Sequence, residues 1–268
     1  TKNKGSYNLK NDIFFDYKKK LAISVDTYIE KKHFLNFNNP ELVIRKIFRS
    51  ALSDLICKGI TPKYYFISSS GNKKTFSKKK LSLIMKSLKN EQKKYKVTLA
   101  GGDTTKSNIL SFTFVMVGYA KNAPIQRNNV KKNDDIYVTG NLGDPYIGLN
   151  ILKNKMKCNK VDKKYFIKSY YQPQLQLLFS KKIHFFANSC IDISDGLFQD
   201  LNHLFYNNNL DYFIDNSKIP ISNKLKLFLN KKRINKINVI SKGDDYQILF
   251  TSPKKHRKQI KKFSRQYN

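Results

Sequence analysis

The chemistry open to this sequence rests on its aspartates. Of nineteen acidic residues only Glu30, Glu41 and Glu91 are glutamates. Many of the aspartates stand inside apolar segments or glycine-bearing turns rather than in solvated runs. A carboxylate beside buried strand residues is costly unless a cation or hydrogen bonds compensate it. In so basic a chain, the retained aspartates are therefore candidate ligands for a hard cation such as Mg²⁺. The densest group is Cys190-Ile191-Asp192-Ile193-Ser194-Asp195-Gly196-Leu197-Phe198-Gln199-Asp200. Ile191 and Ile193 alternate with Asp192 and Ser194 as in a strand, and Leu197, Leu201 and Leu204 follow at helical spacing. The acids thus stand at a strand-to-helix break, where Ser194 or Asp195 could serve as N-cap. A merely capped joint and a metal-holding turn both fit this pattern.

Similar acid-bearing breaks recur along the chain. Ser24-Val25-Asp26 ends an apolar run, with Ser24 and Asp26 on one face at period two. Asp54 lies between Leu52 and Leu55, where a solvated helix would carry lysine. Gly101-Gly102-Asp103-Thr104-Thr105 offers backbone amides close to an anion and oxygen ligands for its counter-cation. Gly243-Asp244-Asp245-Tyr246 places two acids on a turn before a strand. No GxxxxGK[ST] occurs, so a phosphate site here belongs to an architecture other than the P-loop.

The elements that must position these residues form a mixed series. Alternation predicts strands over 8–15, 21–27, 61–68, 96–100, 109–119, 134–139 and 210–214. Helical spacing predicts helices over 40–59, 80–95, 144–152, 172–188, 222–229 and 254–266. Residues 69–74 and 153–164 read as polar loops, and a basic loop follows residue 229. The polar stretch 124–133, which carries Arg127, reads as a linker. The expected fold is α/β (α+β), with mixed sheets packed with helices. It divides into an N-terminal domain over 1–125 and a C-terminal domain over 126–268 that share one cleft.

The net charge of +33 invites a nucleic-acid reading, but only six of the basic residues are Arg. Lys is spread over the whole chain alongside Asn, Ile, Phe and Tyr. That pattern is a compositional bias rather than a recognition surface, so no specific nucleic-acid partner is expected, only polyanion binding at low salt. Cys57, Cys158 and Cys190 are scattered without CxxC spacing, which argues against disulfides or zinc and fits a reducing cytoplasm. No apolar run reaches membrane-spanning length. The chain starts at Thr1, and truncation at both ends is expected.

Taken in order, the motifs resemble the thiamine-monophosphate kinase family, within the ATP-binding superfamily related to aminoimidazole ribonucleotide synthetase. The resemblance is carried by Ser24-Val25-Asp26 with His33-Phe34, Leu52-Ser53-Asp54, Gly101-Gly102-Asp103-Thr104-Thr105, Tyr137-Val138-Thr139-Gly140, Asp192-Ile193-Ser194-Asp195-Gly196 and Gly243-Asp244-Asp245-Tyr246. It implies an N-terminal domain that binds ATP and Mg²⁺ and contributes strands to a homodimer, and a C-terminal domain closing the cleft. The implied reaction moves the ATP γ-phosphoryl onto thiamine monophosphate, giving thiamine diphosphate. By the same resemblance Asp12, Ser24, Val25, Asp26, Asp54, Asp103, Asp192 and Asp195 are metal ligands. Gly102, Asp103, Arg127 and Ser194 contact nucleotide, and His33 and Asp244 contact the thiamine substrate. No residue is needed as acid or base. The chain departs from the family at Asn11-Asp12, where paired acids are usual, and at Val25, where Thr is usual. It departs again at Asp244 and Gln247, where the family carries Glu. A selenophosphate synthetase-like enzyme of the same superfamily is the alternative; a basic nucleic-acid-binding or non-catalytic nucleotide-binding protein is the reading from another class.

Overall fold

Two sheets flank one long helix in the computed structural model, which describes residues 3–206 and 208–267. The first sheet has the order β1 (Phe14–Asp16), β2 (Leu21–Ile29), β5 (Ser111–Tyr119), β3 (Thr61–Gly71), β4 (Thr98–Lys106). All its pairings are antiparallel except β3 with β4. Side chains alternate across it as a pleated strand requires. Along β5, Phe112, Phe114 and Met116 are buried, whereas Val115 and Val117 lie on the other face. None of the described residues covers that second face fully. Val25 is 60% exposed, and Tyr64 and Phe66 are exposed beside it.

Helix α1 (Pro40–Cys57) lies between the inner face of this sheet and the second sheet. Pro40 presets the first turn, Glu41 complements the helix dipole, and Ile44, Ile47, Phe48, Ala51, Leu52 and Leu55 are all completely buried. Phe48 meets Tyr65 and Phe114 edge-on. The helix ends in a Schellman turn: Gly59, at φ +75°, donates to Ile56 O, and Ile60 N donates to Leu55 O. Because both sides of α1 are covered, Lys46, Arg49, Ser50 and Ser53 are buried too. Arg49 is matched by Glu91 of α2 (Lys78–Tyr95), through Nε–Oε2 at 2.7 Å and Nη2–Oε1 at 3.1 Å.

The second sheet has the order β6 (Asp134–Val138), β8 (Ile248–Pro253), β7 (Ser189–Asp192), all antiparallel. Around it pack α3 (Asp144–Leu152), α4 (Lys160–Tyr171), α5 (Leu177–Ser180), α6 (Leu197–Phe205), α7 (Asn223–Lys232), α8 (Lys236–Ile240) and α9 (Arg257–Tyr267). One hydrophobic cluster runs from Ile13 through α1 to Cys190 and Phe250, so both halves share core.

Several expectations from the sequence are corrected. Residues 8–15 hold a 3-10 turn and only the short β1 rather than a strand throughout. The Gly101-Gly102 pair does not make a turn after a short strand; β4 runs straight through it. The glycine is needed there because β3 lies so close that a Cβ on Gly102 would stand 2.0 Å from Ile67 O. Residues 153–164 are not all loop: Asn159 caps α4 by accepting from Asp162 N at 2.8 Å. The helix expected over 172–188 breaks up because Pro173 cannot continue α4 and disfavours helix at Gln172. Only α5 and a 3-10 turn at Ile183–Phe185 form there. Leu210, Tyr212 and Ile214 alternate onto the core as a strand would, but pair with no neighbour. The basic segment after residue 229 continues α7 and then forms α8.

Candidate active site

The site is built on the C-terminal half of α1, where three backbone segments converge. Ser53 Oγ donates a short hydrogen bond to Asp192 Oδ2 at the end of β7. Five residues on from Ser53, Lys58 closes the helix with its side chain fully buried, and Nζ lies 2.5 Å from Cys190 O and 3.0 Å from Asp12 Oδ2. Asp12 Oδ1 in turn accepts from Arg127 Nη1 at 2.9 Å. Asp26 enters from β2, on the same face as the buried Ser24.

The electrostatics show how crowded the carboxylates are. Burial raises the Asp54 carboxyl well above its ordinary value, and the charges of Asp26, Asp192 and Asp12 raise it further. Burial likewise raises Asp26; a hydrogen bond shared with Asp54 offsets part of this, and the Asp12 charge adds to the rise. Asp192 is pushed up to about 7 by burial, against the lowering effect of the Ser53 hydroxyl and with further raising by Asp12. Burial also opposes ionisation of Asp12, but Lys58 and then Arg127 hold it below the usual carboxylate range. Asp12, Asp26, Asp54 and Asp192 therefore sense one another's charge. Among the described residues, however, no three His, Cys, Asp or Glu side chains are gathered tightly enough to hold an ion unaided. That disposition suits Mg²⁺, which is commonly held by one or two carboxylates together with water and phosphate oxygens. The donor set is all oxygen, and like-charge crowding is what a divalent ion relieves, so the residues fit the metal.

The remaining predicted residues surround this group at varying distances. His33 is exposed in the turn after β2, and its Nδ1 accepts from Ile29 N at 3.0 Å. Val25 points to the open sheet face, so only its backbone could serve the inner site. Asp103 is exposed on the edge strand β4, its Oδ1 accepting from Thr104 N at 2.8 Å. The pairing register puts Gly102 in the row of Asp26, three strands away, which is about 14 Å at ordinary strand spacing. Asp103 and Gly102 are thus not brought to the aspartate group within one chain. Asp195 is also exposed, accepting from Gln199 Nε2 at 3.0 Å. Neither it nor Ser194 caps α6. Gly196 holds the N-cap position, and the Asp200 carboxylate reaches back to accept from Asp195 N and Gly196 N, both at 3.1 Å.

Asp244 is bound by a partner that the sequence reading missed. Its carboxylate makes a short ion pair with Lys46 Nζ, which is 2% exposed, and Tyr246 OH donates to it at 3.2 Å. Lys46 also lies over the Tyr170 ring at 4.3 Å. Asp244 N donates to Ser194 O and Tyr246 N to Ile193 O, which clamps the Asp192 segment against the 243–246 turn. Lys46 and Lys58 carried no motif signal, and Ser53 stood in the Leu52-Ser53-Asp54 motif without a role of its own. Lys58 had one clue: it is a charged residue following the apolar run Leu55-Ile56-Cys57. A cavity of about 900 Å³ lies elsewhere, between β6 and the 210–220 segment, and none of the residues above line it.

Comparison with known proteins places this arrangement. Residues 10–120 match the family model "AIR synthase related protein, N-terminal domain". The thiamine-monophosphate kinase of Buchnera aphidicola from Schizaphis graminum is 36% identical over 256 residues, covering 90% of this chain and 74% of that protein. The chain belongs to the thiamine-monophosphate kinase family. The Aquifex aeolicus thiamine-monophosphate kinase is 31% identical, covering 88% of this chain and 77% of its own. A solved structure of AaThiL complexed with AMPPCP and TMP superposes with a TM-score of 0.85 at 30% identity, over 92% of this chain and 80% of that one. HypE structures, at 12–15% identity, share the fold alone. For a thiamine-monophosphate kinase family chain, the aspartate convergence at α1, β2 and β7 is the feature to be explained.

Proposed function

We propose that this chain transfers the γ-phosphoryl group of ATP to the phosphate of thiamine monophosphate, giving thiamine diphosphate, with Mg²⁺ at the aspartate group. The observation that carries the reading is its likeness to the AaThiL complex with AMPPCP and TMP, at 30% identity over 92% of the chain. Asp26, Asp54 and Asp192 are the residues that would hold the metal, with Ser24 beside Asp26. The Val25 carbonyl, Asp12, Asp103 and Asp195 are further candidates by resemblance. Mg²⁺, when bound, supplies charge neutralisation for the phosphates.

The chain's own residues position and orient. Ser53 fixes Asp192, and the 243–246 turn holds the segment that presents Ser194. Arg127 and Gly102 stand at nucleotide-contacting positions, and His33 and Asp244 at substrate-contacting ones. The acceptor phosphate is already anionic at neutral pH, so the transfer needs alignment rather than a base.

The homodimer belongs to this proposal. The open sheet face carries an apolar strip of Ile23, Val25, Tyr64, Phe66, Val115 and Val117, and Asp103 and Thr27 lie on the same side. A second copy on that face would bury the strip and give Asp103 and Gly102 a role across the interface. The two-domain division at residue 125 is supported by the break between β5 and β6. No helix among the described residues is long and apolar enough to cross a membrane, and the three cysteines are free, which supports a reducing cytoplasm.

The test is conversion of thiamine monophosphate with ATP and Mg²⁺, comparing the unmodified chain with Asp192→Asn. Loss of at least about a hundredfold in kcat is expected for removing a charged group that stabilises the transition state. Unaltered turnover would remove Asp192 from the site.

A further inference from the structure

Lys58 sits where an aspartate group would otherwise be uncompensated. Its side chain is 0% exposed, which for an ammonium demands close compensation. That compensation comes from both halves of the fold: Asp12 Oδ2 at 3.0 Å from the N-terminal segment, and Cys190 O at 2.5 Å from β7. With Arg127 on Oδ1, Asp12 has a fixed cation on each oxygen. Beside it, Asn11 is neutral, and both side-chain amide atoms are buried without a hydrogen bond. The Lys58 charge also reaches Asp54 and Asp192. Four carboxylates, Asp12, Asp26, Asp54 and Asp192, thus face two fixed cations, Lys58 and Arg127. With all four ionised, the formal remainder is two negative charges, that of one divalent ion; without the ion, the hydrogen bond between Asp26 and Asp54 holds a proton.

We propose that the Lys58 ammonium is a resident cation of this site, occupying the charge position of one metal ion and converting Asp12 from a metal ligand into its counter-ion. The chain would then need fewer divalent ions than its aspartates suggest. The proposal rests on reading the aspartate group as a metal site.

It is tested by Mn²⁺ binding to the whole chain without nucleotide, followed by electron paramagnetic resonance, for the unmodified protein and Lys58→Met. Met keeps the volume and removes the charge. The variant is expected to bind Mn²⁺ at least about tenfold more tightly, because a positive charge beside the ion repels it through a low-dielectric site. Equal binding by both proteins overturns the Lys58 assignment while keeping the metal site. Binding by neither overturns the metal reading as well. A second measurement does not depend on the variant folding. With a built-in cation, the unmodified chain should keep its melting temperature within about 3 °C when EDTA replaces Mg²⁺. A fall of more than about 10 °C would show that divalent ions, not Lys58, compensate the aspartates, and would overturn the proposal.

Discussion

The pair Lys46–Asp244 makes a prediction whose sign depends on which partner is removed. Lys46 lies in the middle of α1 with its side chain 2% exposed, whereas the Asp244 side chain is 25% exposed at the edge of the cleft. Asp244→Asn therefore strands an ammonium that has no route to water. Breaking a buried pair from one side costs about 3–5 kcal/mol. The Tyr170 ring, 4.3 Å from Nζ, offsets roughly 1 kcal/mol of this by cation–π attraction. A net loss of about 2–4 kcal/mol follows. Lys46→Met removes the buried charge together with its desolvation penalty and fills nearly the same space, while Asp244 can take up water. Its cost should stay below about 1.5 kcal/mol.

Urea unfolding of the two variants and of the double variant measures this directly, with midpoints compared at constant m-value. The double variant should lie close to Lys46→Met alone, a coupling of about 2–4 kcal/mol between the sites. Equal losses for the two single variants, adding in the double, would refute the argument that burial of Lys46 governs the pair. If Asp244 contacts the thiamine substrate, Lys46→Met should also shift KM for thiamine monophosphate and leave that for ATP unchanged.

Two further outcomes are expected. Val25→Lys places a charge on the open sheet face without touching the inner site; analytical ultracentrifugation should show a dimer for the unmodified chain and a monomer for the variant, and equal sedimentation of the two would move the interface elsewhere or remove it. Asp144, buried and accepting from Tyr165 OH at 2.7 Å and Ser222 Oγ at 2.8 Å, has its carboxyl raised by burial, only partly offset by the Tyr165 and Ser222 hydroxyls. A raised carboxyl binds its proton more tightly in the folded state, so stability is present below the ordinary aspartate value of about 3.9 and is lost as pH rises through the folded value. Asp144→Asn should flatten the fall in melting temperature above pH 4; a pH profile identical to that of the unmodified chain would contradict this.

The sequence made the aspartates legible because a carboxylate inside an apolar run is conspicuous, and Asp26, Asp54 and Asp192 do come close enough to feel one another's charge, although Asp26 lies within β2 and Asp54 within α1 rather than at their ends. It also delimited α1, α2, α3 and β5 to within two residues, since their apolar spacing is a local signal. It failed where a residue's environment is set by distant chain. The glycines of β4 read as a turn because the closeness of Ile67 O, which excludes a Cβ at Gly102, arises only when β3 pairs alongside. Ser194 or Asp195 reads as the cap of α6, but Gly196 holds that position and Asp200, four residues on, accepts from the Asp195 and Gly196 amides. Lysine is the extreme case. In a chain with 52 Lys and Arg residues, nothing local separates Lys46 from its solvated neighbours, and Lys58 is set apart only by following Leu55-Ile56-Cys57. Helix periodicity even puts both on a helix expected to have one wet side, and that side vanishes because β7, α4 and the 243–246 turn pack over it. Compensation thus comes largely from the most common residue type: Lys58, at the C-cap of α1, answers Asp12 of the aspartate group, and Lys46, within α1, answers Asp244.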